Sequence, residues 1–204
     1  MTFVLGLTGS IGMGKSATAA IFRRFGVPVH DADATVHRLY EGKAAPLIEA
    51  AFPGTAPAGV VDRAALSRQV IGSPESMARL EGIVHPLVRG EEERFLAEAL
   101  AAHAPVAVLD IPLLFETGGQ SRCDAVLVVT AASDVQHARV LARPGMSEET
   151  FAAIRERQMP DAEKRKRAHF LVDTGRGFPS AERQIGDILR ALASRPGRVL
   201  RPIG

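Results

Sequence analysis

A glycine-rich stretch near the start of the chain has the residue types and the spacing that bind phosphate. Residues 9–16, Gly-Ser-Ile-Gly-Met-Gly-Lys-Ser, fit the pattern G-x-x-x-x-G-K-[ST] at every fixed position. Glycines let the backbone turn tightly and bring its N–H groups close to phosphate oxygens. In such a loop Lys15 reaches the β- and γ-phosphates, and the Ser16 hydroxyl binds Mg²⁺. The stretch predicts a nucleotide-phosphate site, and a glycine-rich turn that binds nothing is the alternative.

The segments on either side of this loop are the ones that such a site needs. Residues 3–8 are apolar and partly β-branched, which predicts a buried strand. Residues 17–25 carry apolar side chains at helical spacing and are followed by Gly26, which predicts a helix. The N-terminus of that helix would add partial positive charge to the loop. Strand, loop and helix in this order favour phosphate binding.

Two carboxylates end the second predicted strand, which covers residues 27–33. Ligands of open α/β sheets bind outside the carboxyl ends of the strands, so we expect Asp31 and Asp33 to face a substrate. A regular strand would point these two side chains in opposite directions, which predicts different roles for them. As an alternative, one of the two caps the helix that starts near Ala34.

A third carboxylate, Asp110, ends the buried strand predicted for residues 106–110. An aspartate in this position beside a phosphate loop commonly holds Mg²⁺ through a water, and a strand-end cap is the alternative. The apolar run of residues 111–115 follows it and is either core or the wall of an apolar ligand site. Pro112 argues against a continuing strand there.

Residues 34–104 are predicted to be mainly helical and are too many for a single crossover helix. We expect an inserted helical region that covers a substrate. Within it, Ser73 and Pro74 predict the start of a helix that runs to about Val84, and a second helix covers residues 87–103. Elsewhere in the chain, further helix caps are expected at Asp62, Ser133 or Asp134, Ser147 and Ser180.

The pair His85-Pro86 is predicted to break the helical structure and so to separate these two helices. His85 and Arg89 are four residues apart and therefore lie on one helix face. Together they could hold an anionic group of a substrate. A helix break followed by a solvated arginine is the alternative.

Positive charge is concentrated late in the chain. Residues 139–167 contain eight Lys or Arg and five Asp or Glu, a net charge of +3, whereas the whole chain has +2. This segment between two predicted strands suits a lid that closes over phosphates. We expect Arg139 and Arg143 to contact phosphate, and a solvated helical face is the alternative for the other basic residues. The turn at Thr174 and Gly175 is expected near the nucleotide base.

Length and composition limit the possible classes of protein. The 204 residues are enough for one substantial α/β domain with insertions. Aromatic residues make up only 5%, and the low net charge argues against a nucleic-acid-binding module. The single cysteine, Cys123, excludes an intramolecular disulfide and fits a reducing compartment. Since no signal peptide or run of transmembrane length is visible, we expect a soluble cytoplasmic protein that is a monomer rather than an obligate oligomer.

Taken together, these motifs make the chain similar to the dephospho-coenzyme A kinase family. The resemblance spans nearly the whole chain. It rests on residues 7–16, Asp31-Ala32-Asp33, His85-Pro86-Leu87-Val88, Pro112-Leu113-Leu114-Phe115-Glu116, the segment from Arg139 to Arg143, Arg157-Gln158-Met159 and Asp173-Thr174-Gly175.

The resemblance implies an α/β P-loop fold of the nucleoside-phosphate-kinase type, with three layers and a parallel sheet. It divides the single domain 1–204 into a core of residues 1–33, 105–138 and 168–204, a helical acceptor-binding region 34–104 and a lid 139–167. It also implies Mg²⁺-dependent transfer of the γ-phosphate of ATP to the 3′-hydroxyl of dephospho-coenzyme A, the last step of coenzyme A synthesis. Neither nucleic acid nor membrane is implied as a partner.

The resemblance also implies roles for individual residues. Asp33 would act as the base, with Lys15 and Arg143 stabilising the transferred group. ATP would be bound by Gly9, Gly12, Met13, Gly14, Lys15, Ser16, Ala17, Arg139, Thr174 and Gly175. The acceptor would be bound by Thr8, Asp31, Asp33, His85, Arg89, Pro112, Leu113, Leu114 and Phe115. Mg²⁺ would be held by Ser16 and, through water, by Asp110.

Three residues depart from the family pattern. Ala17 replaces a hydroxyl residue and so removes an α-phosphate contact, Pro144 stands where a polar residue is usual, and Thr174 where asparagine is common. None of them removes a residue that the chemistry requires. Two competing hypotheses are another small P-loop kinase and a nucleotide-dependent switch. Against the switch, the sequence has no Asn-Lys-x-Asp or Thr-Lys-x-Asp guanine signature.

Overall fold

The computed structural model describes residues 1–199. The chain divides into two compact units, one made of Met1–His30 together with the chain from Glu98 onward, and the other of Asp31–Ala97. The predicted functions of the core, the acceptor-binding region and the lid remain predictions.

A five-stranded sheet runs through the first unit. Its strands are β1 (Phe3–Thr8), β2 (Val29–Asp31), β3 (Val106–Asp110), β4 (Ala125–Thr130) and β5 (Phe170–Asp173), in the order β2-β3-β1-β4-β5. β1 is parallel to both β3 and β4, and β4 is parallel to β5. Leu7 lies opposite Asp110 in the register. The segments that follow β1 and β3 therefore leave the sheet at the same edge.

The core of the first unit forms between one face of the sheet and two helices, α1 (Lys15–Arg24) and α9 (Phe178–Leu192). Leu5 of the sheet, Phe22 of α1 and Ile185 of α9 are all fully buried in this cluster. The other face of β1 is buried too, as expected for a strand inside a parallel sheet. This packing fixes the strand before the glycine-rich loop and the helix after it.

Four shorter helical segments complete the first unit. They are a 3₁₀-helix (Gly119–Arg122), α6 (Ser133–Leu141), α7 (Glu148–Glu156) and α8 (Asp161–Arg167). The predicted cap at Ser147 is confirmed, because its hydroxyl accepts the N–H of Thr150 at 3.2 Å.

Two predicted caps in this unit are wrong. The N-cap of α6 is Ala132, so Ser133 and Asp134 lie inside the first turn, where the charge of Asp134 still suits the helix dipole. α9 begins at Phe178 rather than after Ser180. The reason is Pro179, which fits the first turn of a helix because no N–H is needed there.

The second unit is helical and has its own core. It contains α2 (Ala32–Tyr40), α3 (Ala45–Ala51), α4 (Arg63–Val70) and most of α5 (Pro74–Ala101). Its buried apolar side chains include Leu39, Ile48, Phe52 and Leu66. The predicted cap at Asp62 is confirmed, because its carboxylate accepts the N–H groups that open α4.

The predicted break at His85-Pro86 is wrong, because α5 continues through Pro86 as one helix of 28 residues. A proline inside a helix removes the hydrogen bond to the carbonyl four residues earlier, which here belongs to Gly82. Both Pro86 and Gly82 are exposed, so water can bond to that carbonyl. Neither α5 nor any other helix within residues 1–199 is long and apolar enough to cross a membrane.

Candidate active site

The glycine-rich loop between β1 and α1 has a shape that only glycine permits at several positions. Gly12 and Gly14 have φ angles of +79° and +91°. A Cβ added to Gly9 would lie 2.3 Å from Cγ2 of Val129, and one added to Gly12 would lie 2.5 Å from Cγ2 of Val140. The loop backbone therefore packs directly against β4 and α6, which leaves no room for side chains.

The helix that follows the loop offers hydrogen-bond donors to an anion. The first N–H of α1 with a partner inside the helix is that of Thr18, which donates to the Gly14 carbonyl at 3.0 Å. The N–H groups of Lys15, Ser16 and Ala17 precede it and have no acceptor within the helix. The N-cap, Gly14, has no side chain to cap them, and the first turn holds no acidic residue. The positive end of α1 is therefore open to a phosphate.

The predicted catalytic lysine and the predicted metal-binding aspartate meet beside this loop. Nζ of Lys15 lies 2.7 Å from Oδ1 of Asp110, whose side chain is only 2% exposed. The oxygens of Asp110 and Ser16 are the kind of ligand that Mg²⁺ prefers, so these residues fit a magnesium ion. Within residues 1–199, no group of three or more His, Cys, Asp or Glu could hold a metal. Any Mg²⁺ here would therefore complete its ligands with water and phosphate oxygens.

Thr8, at the end of β1, holds the apolar run that follows β3. Its fully buried hydroxyl donates to the carbonyl of Pro112 at 2.9 Å. Leu113 is 39% exposed, whereas Leu114 is fully buried and Phe115 nearly so. Only Pro112 and Leu113 of this run are therefore open to a ligand without rearrangement. Their contact with an acceptor remains a prediction.

Arg139 and Thr174 support the phosphate loop from its other side. The guanidinium of Arg139 donates to Oγ1 and to the carbonyl oxygen of Thr174, each at 2.9 Å. The Thr174 hydroxyl in turn donates to the carbonyl of Met13 at 2.8 Å, and a Cβ on Gly14 would lie 2.9 Å from that hydroxyl. Gly175 is exposed next to Thr174. The predicted contacts of these residues with phosphate and base stay predictions.

Arg143 lies just beyond α6 and is exposed. Its guanidinium has no ion-pair partner within the part of the chain that the structure describes. An exposed arginine without an ion-pair partner is available to an anionic ligand. The predicted phosphate contact remains a prediction.

Two glutamines at this site were not recognised as site residues from the sequence. The N–H of Ile11 donates to Oε1 of Gln158 at 3.0 Å, and Nε2 of Gln136 donates to the carbonyl of Ile11 at 2.7 Å. The same side chains line a cavity of about 360 Å³ together with Ser10, Arg155 and Asp161. In the sequence, only the motif Arg157-Gln158-Met159 pointed to Gln158, and nothing pointed to Gln136. No spacing rule predicts which distant residue a neutral amide will contact.

The carboxylates Asp31 and Asp33 have different surroundings in the helical unit. Asp31 caps α2, and its carboxylate accepts the N–H of Ala34 at 2.9 Å. The capping alternative is therefore confirmed for Asp31. Asp33 lies in the first turn of the same helix and is exposed.

Asp33 also lines a cavity of about 510 Å³ inside the helical unit. The walls are largely apolar, with Val36, Leu66, Val70, Met77 and Leu80 among them, and Tyr40 and Arg63 are among the polar lining residues. The guanidinium carbon of Arg63 lies 5.4 Å from the centre of the Tyr40 ring. Burial raises the pKa of Tyr40 above its ordinary value and outweighs the opposing effect of Arg63, so the hydroxyl stays protonated.

His85 and Arg89 lie on α5 in the same unit, four residues apart and both exposed. Their position on one face of a continuous helix agrees with the geometry that an anion-binding pair would need. Their contact with an acceptor remains a prediction.

Comparison with known proteins decides the family. The family model described as dephospho-CoA kinase matches residues 3–179. The chain belongs to the dephospho-CoA kinase family. The Rhodopseudomonas palustris protein named dephospho-CoA kinase is 60% identical over 195 residues, which cover 96% of this chain and 98% of that protein. The resemblance found in the sequence is confirmed, and so is the conclusion that the protein is a kinase.

Solved structures support the fold of this dephospho-CoA kinase family member. The Thermus thermophilus protein TT1252 is 39% identical with a TM-score of 0.81, and the match covers 93% of this chain and 97% of that one. The dephospho-CoA kinase from Campylobacter jejuni is 22% identical with a TM-score of 0.62, covering 94% and 97%. At that identity the second likeness shows the fold alone. The predicted α/β fold of a P-loop kinase is confirmed.

Proposed function

We propose that the protein transfers the γ-phosphoryl group of ATP to the ribose 3′-hydroxyl of dephospho-CoA, which gives ADP and CoA in the last step of CoA synthesis. The observation that carries this proposal is the 2.7 Å pair of Lys15 and Asp110 beside the open N-terminus of α1. A lysine, a buried aspartate and free helix N–H groups together suit a nucleoside triphosphate. The acceptor follows from membership in the dephospho-CoA kinase family.

In the proposed reaction, the acceptor's 3′-oxygen bonds to the γ-phosphorus while the bond from that phosphorus to the bridging oxygen breaks. The bridging oxygen leaves with ADP. A ribose hydroxyl is a poor nucleophile, so a carboxylate should orient it and accept its proton. We assign this role to Asp33, because its carboxylate is exposed whereas that of Asp31 is engaged in capping α2. Lys15 and Arg143 stabilise the negative charge that develops on the transferred group.

Mg²⁺ is part of the proposal. The hydroxyl of Ser16 and, through a water, the carboxylate of Asp110 are the proposed ligands. A bound Mg²⁺ would neutralise charge on the β- and γ-phosphates of ATP. Bound ATP would compete with Asp110 for Lys15, since a lysine ammonium is a compact charge that binds phosphate well.

Acceptor binding is proposed for exposed residues of both units. The open side chains Pro112 and Leu113, positioned by Thr8, would contact the acceptor from the first unit. His85 and Arg89 would bind an anionic group of it from the helical unit. The cavity lined by Asp33 is a further candidate place for part of the acceptor, because an apolar cavity with a few polar groups suits a small-molecule substrate.

The test is ATP consumption by the purified protein with and without dephospho-CoA. We expect ATP to be consumed only when dephospho-CoA is present, with a product that is heavier by one phosphoryl group. A panel of other acceptors, namely shikimate, nucleoside monophosphates and sugars, serves as the control for another small P-loop kinase. Faster turnover of one of those acceptors, or slow hydrolysis independent of any acceptor, would contradict the proposal.

We also propose that the protein acts as a monomer in the cytoplasm. The chain has a single cysteine, Cys123, and therefore no intramolecular disulfide, which fits a reducing compartment. Light scattering on the protein as it elutes from a size-exclusion column should give the mass of one chain, about 21.7 kDa. A stable dimer at micromolar concentration, or recovery of the protein in a membrane fraction of lysed cells, would overturn this assignment.

A further inference from the structure

The two peptide groups around Ile11 in the phosphate loop are held by side chains from outside the loop. The Ile11 N–H donates to Gln158, and the Ile11 carbonyl accepts from Gln136. On the loop's inner side, the carbonyl of Ser10 accepts the N–H of Met13 at 3.1 Å. Both polar groups of one loop residue are therefore bound to two separate glutamines.

These bonds fix the direction of a neighbouring donor. In a trans peptide the C=O and the following N–H point in opposite directions, and no cis peptide occurs within residues 1–199. Because the Ile11 carbonyl points to Gln136, the N–H of Gly12 points away from it. Because the Ser10 carbonyl is used inside the loop, the Ile11 N–H points outward to Gln158. The loop can then present the Gly12 N–H, but not that of Ile11, to a ligand.

Gln158 itself is held in place by its neighbour. The N–H of Met159 donates to Oε1 of Glu116 at 2.8 Å. Nζ of the fully buried Lys164, on α8, lies 2.9 Å from the same oxygen. The segment that carries Gln158 is thus anchored to the loop after β3 and to α8. Gln158 connects the predicted lid segment to the phosphate loop.

We propose that Gln158 is a positioning residue for nucleotide binding. It acts through Ile11 and sets the direction of the loop donors, and Gln136 is its counterpart on α6. The inference rests on the proposed function in that the nucleotide is ATP. It gives a role to the Arg157-Gln158-Met159 motif, and it makes the conformation of the lid segment and the affinity for ATP interdependent.

The experiment compares substitutions that keep, remove or reverse one of these two hydrogen bonds. Gln158→Met keeps the length of the side chain and removes the acceptor. Gln158→Glu keeps an acceptor oxygen, whereas Gln136→Glu turns a donor into an acceptor that faces the Ile11 carbonyl. Both glutamate variants add one negative charge next to the same residue, so the difference between them reports the hydrogen bond and not the charge. Gln120→Met, at an exposed site in the 3₁₀-helix, is the control.

Affinity for ATP is measured by calorimetry without any acceptor, followed by KM for each substrate. We expect Gln158→Met to weaken ATP binding about tenfold, the size of one hydrogen bond, with an unchanged KM for dephospho-CoA. Gln158→Glu should bind ATP more tightly than Gln136→Glu. Melting temperatures are recorded first, and the two glutamate variants carry the test if Gln158→Met fails to fold.

Two outcomes would overturn the inference. One is a folded Gln158→Met protein that binds ATP as tightly as the Gln120→Met control. The other is an equal affinity of the two glutamate variants. The ATP titration needs no acceptor, so a wild-type protein that binds ATP without phosphorylating dephospho-CoA would refute the proposed function and leave this test intact.

Discussion

Replacing Lys164 by methionine should lower the free energy of unfolding by about 3 kcal/mol. The Lys164 side chain is fully buried, and its ammonium lies 2.9 Å from a carboxylate oxygen of Glu116, whose side chain is 17% exposed. Methionine has nearly the same length and conserves the packing, so the substitution mainly removes the charge. The carboxylate would remain in a mostly dry environment without its cation.

The magnitude follows from the burial of the two groups. Removing one partner of a buried ion pair costs about 3–5 kcal/mol. The low end applies here, because Glu116 keeps some contact with water and still accepts the N–H of Met159. For a chain of this length, 1 kcal/mol changes Tm by about 2–4 °C, so the expected decrease is about 6–12 °C. Glu116→Gln in the Lys164→Met background should recover part of the loss, because a neutral amide needs no counter-charge.

The assay is thermal and urea unfolding at pH 7 followed by circular dichroism. The matched control is Lys166→Met on the same helix, whose ammonium pairs with Glu163 at 2.7 Å but whose side chain is 71% exposed. That exposed pair should contribute less than about 1 kcal/mol. If both substitutions lower Tm by the same small amount, the buried Lys164 pair stabilises the fold no more than the exposed Lys166 pair does.

The same pair should make stability depend on pH. Burial alone would raise the pKa of Glu116, but Lys164 and the N–H of Met159 outweigh it and hold this pKa below its ordinary value of 4.5. A carboxyl with a lowered pKa in the folded state stabilises the protein above its unfolded pKa and loses that effect as pH falls. The Tm difference between wild type and Glu116→Gln should therefore shrink below about pH 4.5. A difference that stays constant down to pH 3 would contradict this pKa.

Three predictions concern the chemistry. Lys15→Ala should reduce turnover by at least about 10²-fold in a folded protein, because the negative charge on the transferred group is no longer stabilised. Turnover is measured by coupled ADP release, and a near-normal value would remove Lys15 from the mechanism. Arg143→Ala should lower kcat far more than it raises the KM for dephospho-CoA, since its charge matters most in the transition state; a change in KM alone would make Arg143 a binding residue. Asp33→Asn should lower kcat by roughly 10²–10⁴-fold with little change in ATP affinity. Asp31→Asn is its control and should be mild, because asparagine caps helices as well as aspartate does; the reverse result would exchange the two roles.

Local patterns were enough to predict much of the fold and the phosphate site. The strand before the loop, the helix after it and the caps at Asp62 and Ser147 depend on neighbouring residues, so the sequence contains the necessary signals. Asp110 could be predicted because parallel strands end at the same edge of a sheet, and the register places it opposite Leu7.

Other features depend on contacts that no local pattern reports. Pro86 predicted a helix break, but the carbonyl that it leaves unpaired is exposed to water, and α5 continues. Gln158 and Ile11 are 147 residues apart, and a neutral amide has no spacing rule by which to find its partner. The hydrogen bonds between Arg139 and Thr174 were not predicted either. The sequence predicted a ligand contact for each of the two residues, and not a contact between them.

In the proposed reaction, a phosphoryl group passes from ATP to the ribose 3′-oxygen of dephospho-CoA. The most direct measurement is ³¹P NMR of the purified product, compared with a reaction that contains the 3′-deoxy analogue of dephospho-CoA. We expect a new phosphomonoester signal at the 3′ position together with ADP, and no product from the analogue. A phosphoryl group at any other position, or consumption of the analogue at the same rate, would contradict it.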